Sequence, residues 1–213
     1  MTQRRCPNLG LYLVIGTGDT GGRPLTEIVA AAVAGGVDLV QLREKHADTR
    51  TLYRRAGALK DVLDARGVPL IVNDRLDVAL AVGAAGVHLG QDDMPPDVAR
   101  RIMGPGSIVG LSVSDSGEAA TADPAIVDYT GIGAAFPTGT KADAGAAIGP
   151  AGVRALRSQV AMPSVAIGGI TAQNAAELRG TGIEGIAVVS AIAGADDPAA
   201  AARELRTAFG LPG

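Results

Sequence analysis

The sequence predicts an α/β fold of the (β/α)8 TIM-barrel class, formed by a single domain over residues 1–213. Short runs of Val, Ile and Leu alternate with longer Ala-rich amphipathic stretches, and the alternation occurs eight times. Near-continuous apolar strands are typical of a parallel sheet that is covered on both faces. Seven of the apolar runs end in polar residues, and barrels of this class gather functional side chains at the carboxyl ends of their strands.

The strands are predicted from the short Val, Ile and Leu runs. They are expected at residues 9–15, 37–42, 69–73, 86–89, 107–112, 126–132, 163–167 and 184–189. The alternative fold is an open doubly wound sheet, which would also bind its ligand beyond the carboxyl ends of the strands. The presence of eight units favours the closed barrel.

The helices are predicted between and after the strands, and several have recognisable ends. They are expected at residues 25–35, 48–66, 75–83, 96–103, 116–123, 150–159, 172–180 and 197–209. Pro24 and Pro96 lie at helix starts, where the missing N–H of proline costs no hydrogen bond. Gly67-Val68-Pro69 ends the second helix and turns the chain into the third strand. Thr171 and Asp197 are the expected N-caps of the last two helices.

Composition argues against several classes of function. A net charge of −3 and an aromatic content of 2% provide neither the basic surface nor the stacking platform of a nucleic-acid-binding protein. Cys6 is the only cysteine, so no disulfide can form within the chain and a reducing compartment is expected. No apolar run approaches the roughly 20 residues of a membrane-spanning helix. We therefore expect a cytoplasmic protein whose partners are neither nucleic acids nor membranes.

A cluster of one amide and two cations is expected at the end of the second strand. Side chains alternate between the two faces of a strand, so Gln41, Arg43 and Lys45 should point the same way. With Lys141 from a later loop they could hold a diphosphate, because Arg forms bidentate contacts and Lys supplies a point charge. The alternative is a surface ion pair with Glu44 or Asp48, although Glu44 should face away from Arg43.

Two carboxylates follow neighbouring strands, Asp74 after the third and Asp93 after the fourth. Carboxylates at adjacent strand ends, facing a diphosphate, form a natural Mg²⁺ site, because Mg²⁺ takes oxygen ligands and commonly bridges protein carboxylates to substrate phosphates. The alternative is that each carboxylate caps the helix that follows it. Their position opposite the cations favours the metal site.

A second anion site is expected at the ends of strands six, seven and eight. The hydroxyls of Thr138 and Thr140 lie on a Gly-bearing loop, and segment 138–151 is the one long flexible loop, which could act as a lid. Gly168-Gly169 ends strand seven and Val189-Ser190 ends strand eight, where barrels of this class commonly bind phosphate. The alternative is that the glycines only permit a tight turn.

The two histidines are not expected to act as bases. His88 lies within strand four and His46 just after strand two, where each is more often a core or rim residue with satisfied hydrogen bonds. The sequence has no motif for a zinc site or a covalent nucleophile. Two anion sites, one of them metal-assisted, suit a reaction in which diphosphate leaves and a second phosphorylated molecule attacks, while the protein supplies position and charge.

Seven motifs follow one another in order along the chain. They are Gln41-Leu42-Arg43-Glu44-Lys45, Val72-Asn73-Asp74, His88-Leu89-Gly90-Gln91-Asp92-Asp93, Gly110-Leu111-Ser112, Phe136-Pro137-Thr138-Gly139-Thr140-Lys141, Ile167-Gly168-Gly169-Ile170 and Val188-Val189-Ser190-Ala191-Ile192. Together they resemble the thiamine phosphate synthase family, and the resemblance extends from about Tyr12 to Phe209. One departure is Ala134-Ala135 after Gly133, where family members often have Gly-Pro.

The resemblance implies a (β/α)8 transferase of thiamine biosynthesis with Mg²⁺ as cofactor. Members of this family join 4-amino-5-hydroxymethyl-2-methylpyrimidine diphosphate to hydroxyethylthiazole phosphate, or its 2-carboxy form, to give thiamine phosphate and diphosphate. The family reaction is dissociative: diphosphate departs, a pyrimidine methyl cation forms, and the thiazole nitrogen captures it. The implied partners are the two phosphorylated small molecules, and a homo-oligomer is left open.

The resemblance also implies roles for single residues. Asp74 and Asp93 would hold the metal. Ser112, Arg43 and Lys141 would be catalytic, with Ser112 contacting the pyrimidine and helping to stabilise its cation. The pyrimidine diphosphate site would comprise Gln41, Arg43, Lys45, Asn73, Ser112 and Lys141. The thiazole phosphate site would comprise Thr138, Thr140, Gly169, Val189 and Ser190.

Two other functions are compatible with parts of this pattern. A thiazole tautomerase shares the barrel and binds a thiazole phosphate, but it lacks the full diphosphate and metal apparatus. A non-catalytic barrel that binds a phosphorylated ligand would have no use for a metal pair, because simple binding needs no activated leaving group. The combination of cations and carboxylates favours the synthase over both.

Overall fold

Eight parallel strands close into a barrel in the order of the chain. The computed structural model describes residues 7–139 and 145–212. Each strand pairs with the next, and the last pairs with the first through Leu11↔Ile186, Tyr12↔Ala187 and Leu13↔Val188. This closure confirms the predicted (β/α)8 class and rules out the open doubly wound sheet. No helix in the described part of the chain combines the length and apolar character needed to cross a membrane.

All eight predicted strands and seven of the eight predicted helices form, with short differences at their ends. The elements are β1 (Leu11–Ile15), α1 (Leu25–Ala34), β2 (Leu39–Leu42), α2 (Thr49–Asp64), β3 (Leu70–Asn73), α3 (Leu76–Val82), β4 (Gly86–Leu89), α4 (Pro96–Met103), β5 (Ile108–Val113), α5 (Ser116–Thr121), β6 (Tyr129–Ile132), α6 (Gly149–Arg157), β7 (Ser164–Ile167), β8 (Gly185–Val188), α7 (Ser190–Ala193) and α8 (Pro198–Phe209). Short 3-10 helices occupy Thr17–Asp19 and Ala175–Leu178. The Asp197 side chain caps α8 by accepting from Ala199 N and Ala200 N, as predicted.

The helix predicted over 172–180 is wrong in length and type. Only a 3-10 helix, Ala175–Leu178, forms there. The side chain of Asn174 accepts a hydrogen bond from Thr171 N at 2.9 Å and donates one to Gly169 O at 2.9 Å. These local bonds compete with helical hydrogen bonding at the start of the segment. Thr171 is therefore not the N-cap of an α-helix. Its own backbone N–H donates instead to the side chain of Asn174.

Two apolar layers fill the molecule. Outward-facing strand residues such as Leu13 and Val40 pack with the helices in one large cluster. Inward-facing residues such as Tyr12, Leu39 and Tyr129 form a smaller cluster inside the barrel. Side chains of successive strand residues therefore point to opposite layers, as a period of two requires. The inner layer includes two tyrosines, where barrels of this class mostly have branched aliphatic residues.

A glycine on β5 makes room for one of these tyrosines. A Cβ atom added at Gly110 would lie 2.2 Å from Cζ of Tyr129. We expect Gly110→Ala to lower the free energy of unfolding by about 1–3 kcal/mol, because overpacking forces neighbouring atoms apart. Urea denaturation measures this change. Gly57→Ala, in α2 with nothing within 4 Å of the added Cβ, is the control and should raise stability by about 0.4–1 kcal/mol. Equal effects of the two changes would contradict the prediction.

Candidate active site

A cavity of about 610 Å³ opens at the carboxyl ends of the strands. Most of the predicted site residues line it: Arg43, Lys45, Asn73, Asp74, Asp93, Ser112, Thr138, Gly169, Val189 and Ser190. Gln41 lies deeper, inside the barrel, and is 3% exposed. Thr140 and Lys141 lie outside the described residues. Side chains that are distant in sequence therefore meet at one mouth because parallel strands end on the same side.

The cationic side of the cavity is formed at the end of β2. The Nζ of Lys45 lies 2.8 Å from Oδ2 of Asp74. Glu44 points the other way: its Oε1 pairs with Arg55 at 3.1 Å and accepts a hydrogen bond from Thr17 N at 2.8 Å. The alternative of a surface ion pair with Glu44 or Asp48 is therefore wrong, because Asp48 instead accepts hydrogen bonds from Thr51 at the start of α2. Within the described part of the chain, no carboxylate forms an ion pair with Arg43, so its charge is available to a ligand in the cavity.

The Asp74 and Asp93 side chains form a carboxylate pair. Asp74 has the left-handed backbone conformation with φ 61°, an uncommon conformation for a residue other than Gly, and its N–H donates to His88 O at 2.9 Å. Asp93 accepts a hydrogen bond from Gly90 N at 2.7 Å. The N-caps of α3 and α4 are Arg75 and Pro95, with no side-chain capping bond. Neither carboxylate caps the following helix, so the capping alternative is wrong.

The surroundings of the two carboxyl groups shift their pKa values in opposite directions. Burial and the hydrogen bond with Asp93 raise the pKa of Asp74, and Lys45 only partly opposes this. Burial alone would raise the pKa of Asp93, but the hydrogen bond from Asp74 and that from Gly90 N outweigh it and hold the pKa below its usual range. Ionisation of both carboxyl groups is unfavourable unless a cation lies between them, because like charges repel at short distance.

This donor set fits Mg²⁺, which prefers oxygen ligands and usually keeps one or two protein carboxylates together with waters and substrate phosphates. In the described part of the chain, no group of three or more His, Cys, Asp or Glu side chains is placed to enclose a metal. A pair of carboxylates that opens into a cavity leaves coordination positions for substrate oxygens. The residues present therefore suit a metal held jointly with a phosphorylated ligand.

The opposite wall of the cavity is built around Gly168 and Gly169, which follow β7. Their φ angles are 102° and 63°, and a Cβ at Gly169 would lie 2.5 Å from Pro137 O. The loop after β6 rests on these glycines, with Phe136 N donating to Gly168 O at 3.0 Å. The glycines thus permit a turn and also a close backbone approach that brings Thr138 beside Gly169.

The helical surroundings of this wall differ from the prediction. The 3-10 helix Ala175–Leu178 follows β7 where an α-helix was expected. The short helix α7, which was not predicted, begins at Ser190 directly after β8. Arg23 holds the end of α7, because its guanidinium donates to Ala193 O at 2.6 Å and Ala195 O at 2.8 Å.

Sequence reasoning missed several polar residues that surround Ser112. Gln91 donates from Nε2 to Ser112 O at 2.7 Å, and Nε2 of His88 lies 3.0 Å from Ser112 Oγ. Nδ1 of His88 lies 2.9 Å from Oη of Tyr129. The expectation that His88 has satisfied hydrogen bonds is confirmed. A usable signal was the inward register of Tyr12 and Tyr129 in a chain with three tyrosines and an aromatic content of 2%.

Comparisons with known proteins agree on one family. A family model described as thiamine monophosphate synthase matches residues 11–192. Two relatives named thiamine-phosphate synthase, from Moorella thermoacetica and Azorhizobium caulinodans, are 48% and 52% identical over 200 residues, covering 94% of this chain and 95% and 94% of theirs. The chain belongs to the thiamine monophosphate synthase family. This membership confirms the family predicted from the seven motifs, and with it a transferase of thiamine biosynthesis.

A solved structure supports the same family assignment. The thiamine phosphate pyrophosphorylase from Pyrococcus furiosus superposes with a TM-score of 0.85 and is 40% identical, with 96% of each chain covered. Membership of the thiamine monophosphate synthase family therefore extends to the whole barrel and not only to the motifs at its mouth.

Proposed function

We propose that this chain joins 4-amino-5-hydroxymethyl-2-methylpyrimidine diphosphate to hydroxyethylthiazole phosphate, or its 2-carboxy form, and releases diphosphate. The observation that carries the proposal is one cavity with two chemically different walls, one bearing cations and carboxylates and the other bearing hydroxyls and glycine backbone. Arg43, Lys45 and the carboxylate pair lie at the ends of β2, β3 and the β4 loop, whereas Thr138 and Gly169 lie beyond β6 and β7. Two phosphorylated reactants can therefore be held face to face, which lowers the entropic part of the barrier.

The first wall is proposed to bind the pyrimidine diphosphate. Arg43 and Lys45 supply the positive charge, with Lys141 as a further predicted cation. Asn73 lines the cavity beside them and adds an amide donor. These groups hold the leaving diphosphate and stabilise the negative charge that develops as it departs. Gln41, predicted for the same site, lies deeper in the barrel, where its amide donates to Tyr12 Oη at 2.5 Å.

Asp74 and Asp93 are proposed to hold Mg²⁺ together with the diphosphate. When bound, the ion would neutralise charge on the leaving group and make it a weaker base. The carboxylate pair supplies the protein ligands, and Lys45, 2.8 Å from Asp74, orients that carboxylate. The choice of Mg²⁺ rests on the oxygen donors and on family membership.

The second wall is proposed to bind the thiazole phosphate. Thr138 and Thr140 contribute hydroxyls, while Gly169, Val189 and Ser190 surround the phosphate near the ends of β7 and β8. Ser112, at the end of β5 between the two walls, is proposed to contact the pyrimidine and help to stabilise its methyl cation. The thiazole nitrogen then captures this cation, so the reaction needs no covalent nucleophile from the protein.

One assay separates the synthase from the tautomerase and from a non-catalytic barrel. We expect diphosphate and thiamine phosphate to form in equal amounts when both substrates and Mg²⁺ are present, and neither to form when one substrate is omitted. Diphosphate release is measured enzymatically and thiamine phosphate after oxidation to its fluorescent product. Binding of thiazole phosphate without diphosphate release would contradict the synthase.

Three further predictions go with this proposal. A cytoplasmic location is proposed from the single cysteine. The end of the segment predicted as a lid, 138–151, is tied to the barrel, since α6 begins at Gly149 and Ile148 N donates to Ala134 O at 2.9 Å. Residues 140–144 lie outside the described residues, so lid closure stays a prediction. Self-association likewise stays open.

A further inference from the structure

A chain of hydrogen bonds runs through the barrel interior and ends at the cavity. It links five side chains from β1, β2, β4, β5 and β6, in the order Gln41, Tyr12, Tyr129, His88 and Ser112. The separations are 2.5 Å from Gln41 Nε2 to Tyr12 Oη and 2.8 Å between the two tyrosine hydroxyls. They are 2.9 Å from Tyr129 Oη to His88 Nδ1 and 3.0 Å from His88 Nε2 to Ser112 Oγ.

The hydrogen-bonded side chains are buried and fit into space that two glycines leave open. Tyr12 and Tyr129 are 1% and 0% exposed, and their rings pack edge to face with centroids 5.9 Å apart. The ring of Tyr129 occupies the space that a side chain on Gly110 would fill. Gly131 leaves similar room for His88, whose Cε1 would lie 3.4 Å from an added Cβ. Buried polar groups of this kind fix one arrangement when all of them are paired.

All four hydrogen bonds of this row are donated in the same direction once the first donor is fixed. Gln41 donates from Nε2 to Tyr12, and a tyrosine hydroxyl has a single hydrogen. The buried hydroxyl hydrogen of Tyr12 then needs an acceptor, and Tyr129 Oη at 2.8 Å supplies it. For the same reason Tyr129 donates to Nδ1 of His88 at 2.9 Å. Burial raises the pKa of both tyrosines, so each keeps its hydrogen. A histidine that accepts on Nδ1 carries its single hydrogen on Nε2.

We propose that His88, Tyr129 and Tyr12 are positioning residues that set the direction of the Ser112 hydroxyl. His88 in the Nε2–H form donates to Ser112 Oγ, so the hydrogen of the Ser112 hydroxyl is free to point into the cavity as a donor. Gln91 fixes the same residue through its main chain, with a hydrogen bond to Ser112 O at 2.7 Å. The substrate atom opposite Ser112 must then be an acceptor, such as a ring nitrogen or a phosphate oxygen.

This inference deepens the proposed function, because it assigns what orients Ser112 in the same cavity. It also makes Gln41 a link between the diphosphate side of the cavity and the hydrogen-bonded side chains that end at Ser112. Gln41 lies next to Arg43 along the cavity side of β2, and a change in its amide orientation would reverse every hydrogen bond in the chain. Ser112 would then donate to His88 and present only acceptor lone pairs to the substrate. The two arrangements predict opposite tautomers of His88.

The first experiment reads the tautomer without any reaction. Long-range ¹H–¹⁵N NMR of imidazole-labelled protein distinguishes the Nε2–H form from the Nδ1–H form. The chain has two histidines, so His46→Gln assigns the His88 signals. We expect the Nε2–H form in the parent protein and loss of this single form in Tyr129→Phe, which removes the donor and keeps the ring. An Nδ1–H or doubly protonated His88 would overturn the proposal, whether or not the protein makes thiamine phosphate.

The second experiment tests whether His88 acts through Ser112. His88→Asn loses the Nε2 donor, and we expect kcat to fall roughly 10- to 100-fold while both KM values change by less than about twofold. His88→Gln carries an amide near the Nε2 position and should recover most of the loss. In a Ser112→Ala background, His88→Asn should change kcat by less than about twofold, because coupled residues are not additive. Full additivity, or equal losses in the Asn and Gln variants of correctly folded protein, would overturn the proposal.

Discussion

Asp93→Ala should lower turnover by roughly 10²–10⁴-fold and leave the barrel folded. The change removes one oxygen donor of the carboxylate pair and the acceptor of the Gly90 N–H bond. A metal that stabilises a departing charge contributes several kcal/mol to the transition state, and each 1.36 kcal/mol is a factor of ten in rate. Diphosphate release at saturating substrate measures the loss, and circular dichroism reports the fold.

A Mg²⁺ titration separates loss of metal binding from general damage. We expect Asp93→Ala and Asp93→Asn to raise the Mg²⁺ concentration needed for half-maximal turnover, since both remove the negative charge. Asp97→Ala is the control, because Asp97 lies exposed on α4 and pairs with Arg101 at 3.6 Å. Its turnover should change by less than about twofold, as expected for a surface ion pair. Unchanged Mg²⁺-dependent turnover in Asp93→Ala would refute the metal assignment.

Local periodicity was sufficient to predict the first wall of the cavity. The alternation of strand side chains places Gln41, Arg43 and Lys45 on one face, and Arg43 and Lys45 line the cavity. Gln41 was expected beside them, but it is buried deeper in the barrel, where its amide donates to Tyr12. The same rule turns Glu44 away, toward Arg55 on α2. These positions depend only on the residues immediately before and after them, so a single sequence contains the information.

Contacts that depend on barrel closure were not predicted. Tyr12 and Tyr129 are separated by 117 positions in sequence, and they meet only because β1 and β6 face each other across the interior. His88 reaches Tyr129 over 41 positions for the same reason. The polar interior therefore follows from the radius and register of the barrel, which no local pattern specifies.

The error at the seventh helix has a different origin. The composition of segment 172–180 favours a helix, but the Asn174 side chain accepts a hydrogen bond from Thr171 N and donates one to Gly169 O. Gly180 and Gly182, with φ angles of 72° and 94°, then turn the chain toward β8. Side-chain bonds to nearby backbone can override weak propensities. The consequence for function is that the wall behind Gly169 is formed by loops and a 3-10 helix rather than by an α-helix.

Arg43→Ala should weaken binding of the pyrimidine diphosphate by roughly 10- to 100-fold, because charge-assisted hydrogen bonds contribute about 1.5–3 kcal/mol. Binding of the thiazole phosphate should change by less than about twofold, since its proposed contacts lie across the cavity beyond β6, β7 and β8. Isothermal titration calorimetry with each ligand measures both effects. Lys141→Ala is expected to show the same asymmetry.

The matched control for this division is Arg54→Ala, which removes the same charge from an exposed position on α2. It should leave both affinities within about twofold, because a distant surface charge is screened by salt over about 10 Å. Higher salt should weaken diphosphate binding in the parent protein more than in Arg43→Ala, since the variant has already lost part of the electrostatic attraction. Equal losses for the two ligands in Arg43→Ala would mean that both phosphates share one site, and the arrangement of two walls would have to be abandoned.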